Sequence, residues 1–210
     1  MIVTLDGKQL TEAFPESGTL REVVEQVRQE HLSDRIVVSV VFDGRQLDDE
    51  EVGRCLVETL DEVQRVDFCS AEPRRLAADT LREVGRTLGA VGAEQAGVAD
   101  KLHAGQVSDA VTQFSDFVQN WQICQKAILE CSGLLGQDLT AIEFNGRPVG
   151  AYLDDLAERL RELRDAFENR DMVLLADMIE FELPETCRTW ETILGHLADT
   201  IMCGCAVPTP

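Results

Sequence analysis

Apolar residues alternate with polar ones over roughly the first seventy positions, then recur at a helical period through most of the remaining chain. Ile2, Val3 and Leu5 lead into Asp6-Gly7, a pair suited to a two-residue hairpin turn, and residues 8–10 return as a second short strand. Ser17-Gly18-Thr19 supplies a helix start. Leu20, Val23, Val24 and Val27 then mark one apolar face of a helix over residues 20–32. Arg35-Ile36-Val37-Val38-Ser39-Val40-Val41-Phe42 is almost wholly β-branched and is the clearest strand in the chain. Asp43-Gly44 turns it, Arg45-Gln46-Leu47 starts a fourth strand, and residues 64–70 form a fifth. The pattern predicts the order ββαβββ.

Glu72-Pro73-Arg74 marks a boundary, because Pro fits the first turn of a helix, where its missing N–H is not needed. Beyond it, four amphipathic segments repeat apolar residues at steps of three and four. Their seams run from Ala77 to Leu102, Val107 to Leu135, Val149 to Phe167 and Met172 to Ile201. Such 3.5-residue seams predict helices packed at a shallow angle. Short links at Ala104-Gly105-Gln106 and Glu168-Asn169-Arg170-Asp171 make neighbours antiparallel. The fourth seam takes one extra step of four between Ile179 and Cys187, beside Pro184, where a kink is expected. The predicted class is α+β, with a small domain over 1–71, a helical domain over 72–202 and a flexible tail over 203–210.

Composition narrows the function classes. The 210 residues hold 39 Asp and Glu against 19 Lys and Arg, a formal charge of −20. The excess divides evenly between the two blocks, so it reads as a solvated surface and not as an acidic tail. No basic stripe exists for phosphate contacts, which argues against nucleic acid as a partner. With 44% hydrophobic residues the chain can build real cores. No apolar run reaches the roughly 18–20 residues of a membrane span. The opening residues lack a basic segment followed by an apolar run, so no secretory signal is expected. Seven cysteines without framework spacing favour free thiols and a cytoplasmic setting. Cys124, Cys131 and Cys187 fall on the seams and read as small apolar residues.

Chemistry-bearing patterns are sparse. Asp100-x-x-His103 is one acid–His pair at helical spacing, whereas a di-iron bundle needs two such pairs and two further Glu. His31, His103 and His196 are scattered, and Cys203-Gly204-Cys205 lacks the remaining ligands of a zinc site. Nucleophile-elbow, phosphate-loop and Cys/His signatures are missing from the sequence. The expectation is therefore no catalytic residue, no metal and no cofactor. Gly85, Gly89 and Ala93 form a small-residue stripe that permits close approach of another helix or of a partner. The link over 140–148 carries another turn pair, Asn145-Gly146, with Ile142 and Phe144 expected to tuck against the helices. Arg147 is one of few cations there and reads as a local ion pair.

The order of elements in residues 1–71 resembles the β-grasp, ubiquitin-like fold. The likeness is sharpest at Val40-Val41-Phe42-Asp43-Gly44-Arg45-Gln46-Leu47-Asp48-Asp49. It is similar to the strand–turn–strand of ubiquitin, where an apolar pair precedes Gly, a basic residue, Gln-Leu and an acid. Ubiquitin and its sulfur-carrier relatives end in an activated Gly-Gly tail. Here Ser70-Ala71-Glu72-Pro73 leads into more protein, so the resemblance does not extend to modifier chemistry. Over about residues 107–195 the helical block resembles the four-helix bundles of bacterial flagellar export chaperones. Ala166-Phe167-Glu168-Asn169-Arg170-Asp171 and Trp190 fall at similar places.

The expected architecture is a β-grasp domain followed by an antiparallel four-helix bundle. The expected role is a non-enzymatic protein-interaction or adaptor protein. A chaperone holding a secretion or flagellar export client is the alternative, with a metal-dependent enzyme behind both. Alternation puts Ile36, Val38 and Val40 on the core face and Val37, Ser39 and Val41 outward. Val37, Val41, Phe144, Arg147 and Trp190 are accordingly the candidate partner-binding residues. The partner expected is a protein, a second copy of the chain included, and neither nucleic acid nor membrane.

Overall fold

The computed structural model describes residues 1–14, 18–57, 63–103 and 107–204. Ser17, the Ala104-Gly105-Gln106 link and the chain from Cys205 lie outside the described residues, as do the side chains of Asp100, His103, Val107, Val111 and Phe114. The chain is mixed α/β and divides into two compact units, Met1–Leu76 and Ala77–Pro210.

In the first unit β1 (Ile2–Leu5) and β2 (Lys8–Gln9) form a hairpin, followed by α1 (Leu20–His31), β3 (Ile36–Phe42), β4 (Arg45–Gln46), α2 (Asp49–Cys55) and β5 (Arg65–Ala71). The sheet order is β2-β1-β5-β3-β4, with β1 parallel to β5 and the other pairs antiparallel. Both hairpins turn on the expected pairs: Asp6 and Gly7 have φ of 50° and 79°, Asp43 and Gly44 of 48° and 86°. Two successive left-handed residues match the right-handed twist of the flanking strands. Thr19 begins α1 as anticipated. Its hydroxyl accepts from the Glu22 N–H at 3.3 Å while the Glu22 carboxylate accepts from the Thr19 N–H at 2.9 Å. Leu20, Val23 and Val27 of α1 then bury against Val3, Val40, Val66 and Phe68 of the sheet.

Two expectations for this unit are corrected. The order is ββαββαβ, because Asp48 and Glu51 form a second capping box that starts α2. In β3 a bulge between Val37 and Ser39 inserts one residue into the pairing with β5. The extra residue breaks the two-residue alternation. Val37 therefore packs against the core, and Val38 is the exposed residue, at 44%.

In the second unit the helices are α3 (Pro73–His103, which begins in the first unit), α4 (Val107–Leu135), α5 (Val149–Glu168), α6 (Met172–Asp177) and α7 (Leu183–Cys203). A short hairpin, β6 (Glu143–Phe144) and β7 (Arg147–Pro148), precedes α5, and a π-helical turn (Met178–Glu182) joins α6 to α7. The core contains Leu81, Leu88, Trp121, Ile128, Leu156, Leu163, Ile179 and Trp190, all on the seams read from sequence. At the end of α5 the seam drifts: Ala166 is buried, whereas Phe167 is 39% exposed. Cys203 is the last residue of α7 and not part of a tail, and Gly204 caps the helix at φ 68°.

The expected disturbance at Pro184 takes the form of the π turn. In a continuous α-helix the proline ring would meet the carbonyl four residues back, at Glu180. Here the Leu183 N–H reaches the Met178 carbonyl, five residues back, and Pro184 occupies the first turn of α7. The one inserted residue is the extra step in the seam. The small-residue stripe on α3 is filled from within the unit. A Cβ at Gly85 would stand 3.4 Å from Leu194, one at Gly89 would overlap the Glu191 carboxylate, and one at Gly92 would stand 2.6 Å from the Cys187 Cβ. Gly85, Gly89 and Gly92 thus let α3 approach α7 closely. Among the described residues, no helix is long and apolar enough to cross a membrane.

Candidate functional site

The β6–β7 hairpin turns on Asn145 and Gly146, with φ of 52° and 76°. It holds Phe144 against Tyr152 of α5 and His196 of α7, with ring centroids 5.9 and 5.5 Å apart. The Tyr152 hydroxyl donates to the Phe144 carbonyl at 3.2 Å, and the His196 Nε2–H donates to the Glu143 carbonyl at 3.0 Å. Arg147 forks onto Asp155 at 2.6 and 2.8 Å, donates to the Ala151 carbonyl at 3.0 Å and lies 4.9 Å from the Tyr152 ring centroid. The Arg147 hydrogen bond holds the Asp155 carboxyl below the usual carboxylate range. The hairpin fixes the entry of α5, and with it the row Tyr152, Asp155, Leu156 and Arg159 on one face of that helix.

That row forms one wall of a cleft of about 620 Å³. Phe181, Glu182, Glu185, Thr186, Thr189 and Trp190 form the other wall. Trp190 is its floor: it is buried, and its ring meets Trp121 edge-on at 6.0 Å. Phe181 stands at the rim, 63% exposed, on the π turn. A second cavity, of about 450 Å³, continues along the same pair of elements between Glu162, Asp165 and Ala166 on α5, with Asn169 at its C-terminal cap, and Asp171, Leu174, Met178, Glu182 opposite. Glu182 lines both, and the Arg159 guanidinium reaches it at 2.8 Å, so one ion pair bridges the groove between the two cavities. Apolar floor, exposed aromatic rim and polar walls are the chemistry of a binding groove.

The five residues singled out from sequence divide between the two units. Phe144, Arg147 and Trp190 gather around Tyr152, two of them through direct ring contacts and Trp190 through the shared cleft. Arg147 is already committed to Asp155, and Trp190 is core, so both support the groove from behind. Val37 packs on the first core, as described. Val41 is half-buried and pairs with Asp67, whose carboxylate accepts from the Thr4 hydroxyl and, at 2.8 Å, from Arg65. Its face is therefore a polar network and not an apolar patch. Sequence reasoning missed Tyr152, Arg159, Phe181 and Glu182. The available signal was an aromatic residue off the seam, at the step disturbed by Pro184.

Among the described residues, Glu12, Glu30 and His31 bring three ligand-type atoms within 4.8 Å of one another. His31 Nε2 lies 3.4 Å from Glu12 and 4.0 Å from Glu30, at the end of α1.

No solved structure matches the chain. An uncharacterized protein of Treponema pallidum (strain Nichols) is 25% identical over 200 residues, covering 94% of this chain and 98% of the relative. The family described as a domain of unknown function, DUF8042, matches residues 79–193, which span Tyr152, Arg159, Phe181 and Trp190. That match takes in more than half of the chain, and the protein belongs to the DUF8042 family.

Proposed function

We propose that this is a non-enzymatic protein-interaction module whose docking site is the groove between α5 and the α6–π–α7 segment. The observation that carries the reading is Phe181. A Phe at 63% exposure forfeits most of the burial that stabilises an aromatic side chain. The π turn holds it beside a Trp-floored cleft, and π turns recur at functional sites. A partner covering Phe181 recovers that burial, as aromatic anchors do at interfaces.

The proposal includes the architecture that frames the groove. The first unit is read as a β-grasp domain, supported by the order β2-β1-β5-β3-β4, the central parallel β1–β5 pair and α1 packed across one face. The second is read as an antiparallel four-helix bundle in which α6, the π turn and α7 together make the fourth helix, supported by the shared core of all four seams.

Affinity purification from the native cell, with mass spectrometry, tests the docking site. The wild-type chain is expected to retain a protein that Phe181→Ser loses, while the far-UV circular dichroism of the two is the same. Equal retention by both would remove the groove as the docking site.

A further inference from the structure

Acidic residues dominate the charged lining of the two cavities. Arg159 is the single cation among their lining residues, and it is already paired with Glu182. Asp155 and Asp165 are offset by Arg147 and Arg164 from outside the groove. Glu162, Asp171 and Glu185 have no ion-pair partner among the described residues, and they are spread along its length. The groove is also long. Its lining runs from Tyr152 on α5 to Asn169 at the C-terminal cap of that helix, and from Asp171 to Trp190 opposite, about 25 Å along α5 at 1.5 Å per residue. Apart from Asn169 and Asp171, at the link between α5 and α6, its walls are helical, so along most of their length they offer an occupant side chains and few free backbone donors or acceptors. An extended peptide would leave its own N–H and C=O groups unpaired there, whereas a helix satisfies them internally.

Resting on the reading of the groove as a docking site, we infer that its occupant is a basic amphipathic helix of a partner protein, about five turns long. Its apolar stripe covers Phe181 and Leu174, the latter 47% exposed. Its Lys and Arg residues flank that stripe and meet Glu162, Asp171 and Glu185. The same acids repel nucleic-acid phosphates and anionic lipid headgroups.

The test uses the full chain and three synthetic peptides of about 18 residues. One has Leu on one helical face and Lys elsewhere, the second replaces Lys by Glu, and the third scrambles the first to destroy its apolar face. Binding is read by anisotropy of a dye on the peptide. The Lys peptide is expected to bind at least about tenfold more tightly than either control, and to weaken as salt rises. Glu185→Lys and Glu162→Lys are each expected to weaken it several-fold. Glu130→Lys on α4 changes the net charge equally and is expected to leave it unchanged. Equal loss in Glu130→Lys, or equal binding of the scrambled peptide, overturns the inference, because either means general attraction to an acidic protein. If the Glu peptide binds as tightly as the Lys peptide and Phe181→Ser weakens both, the basic occupant is wrong while the groove stands. If Phe181→Ser leaves the binding of every peptide unaltered, the docking site itself is wrong.

Discussion

Small side chains set the closest approach in the second unit. A Cβ at Gly92 would stand 2.6 Å from the Cys187 Cβ, whereas one at Gly97 would meet no heavy atom of the described residues within 4 Å. Gly92→Ala is expected to lose about 1–3 kcal/mol by overpacking. Gly97→Ala is expected to gain about 0.5–1 kcal/mol, since helical Gly gives way to the better helix former. Urea midpoints of the two variants should move in opposite directions, and movement in the same direction would contradict the packing. Burial pushes the Cys124 and Cys187 thiols up to about 12 from the ordinary 9.0. With the folded pKa raised, the unfolded chain ionises first as pH rises. The stability these thiols contribute is full below about pH 9 and is lost as pH climbs toward about 12. The Cys124→Ala and Cys187→Ala double variant should show a flatter alkaline limb in urea unfolding, and an unchanged limb would contradict the assignment. The core role of these cysteines is legible in the seam. Phe181 is not, because nothing in the residue itself says that the turn beneath it is wider than an α-turn.

The π turn departs from α-helical hydrogen bonding, and it carries the rim of the groove. Amides of residues 180–183 are expected to exchange with solvent faster than those of residues 193–197 in the middle of α7. Equal protection, measured by native-state hydrogen exchange, would mean that the helix is continuous through Pro184. The sequence pattern locates this place through the extra step in the seam, but Pro184 alone is compatible with a kink, a break or a wide turn. Tertiary packing on both sides, at Ile179 and Cys187, selects the wide turn by keeping both faces inward. The same limit applies to β3. Its β-branched run is plain, but a bulge depends on the register with β5, a strand more than twenty residues away, so alternation alone puts Val37 on the wrong face. The alternation misses the helix α2, although Asp48 and Glu51 stand at capping-box spacing.

At the scale of the whole molecule, both Trp residues and the single Tyr lie in the second unit, at Trp121, Trp190 and Tyr152. Intrinsic fluorescence therefore reports on that unit alone. Each unit has its own core, so Phe68→Ala, expected to destabilise the first by about 3–5 kcal/mol, should leave the fluorescence midpoint in place. Circular dichroism should meanwhile show an earlier transition, and a joint shift of both signals would mean that the units unfold as one. The −20 charge, evenly spread in sequence, says little about function by itself. It acquires direction only where Glu162, Asp171 and Glu185 face one groove whose single lining cation, Arg159, is paired with Glu182, a juxtaposition that depends on the pairing of α5 with α6 and α7. Hydrogen–deuterium exchange of the full chain, with and without the Lys peptide, tests the central claim most directly. The account predicts protection confined to residues 152–169 and 174–190, and its loss in Phe181→Ser; protection centred on α4 or on the five-stranded sheet, or surviving in Phe181→Ser, would contradict it.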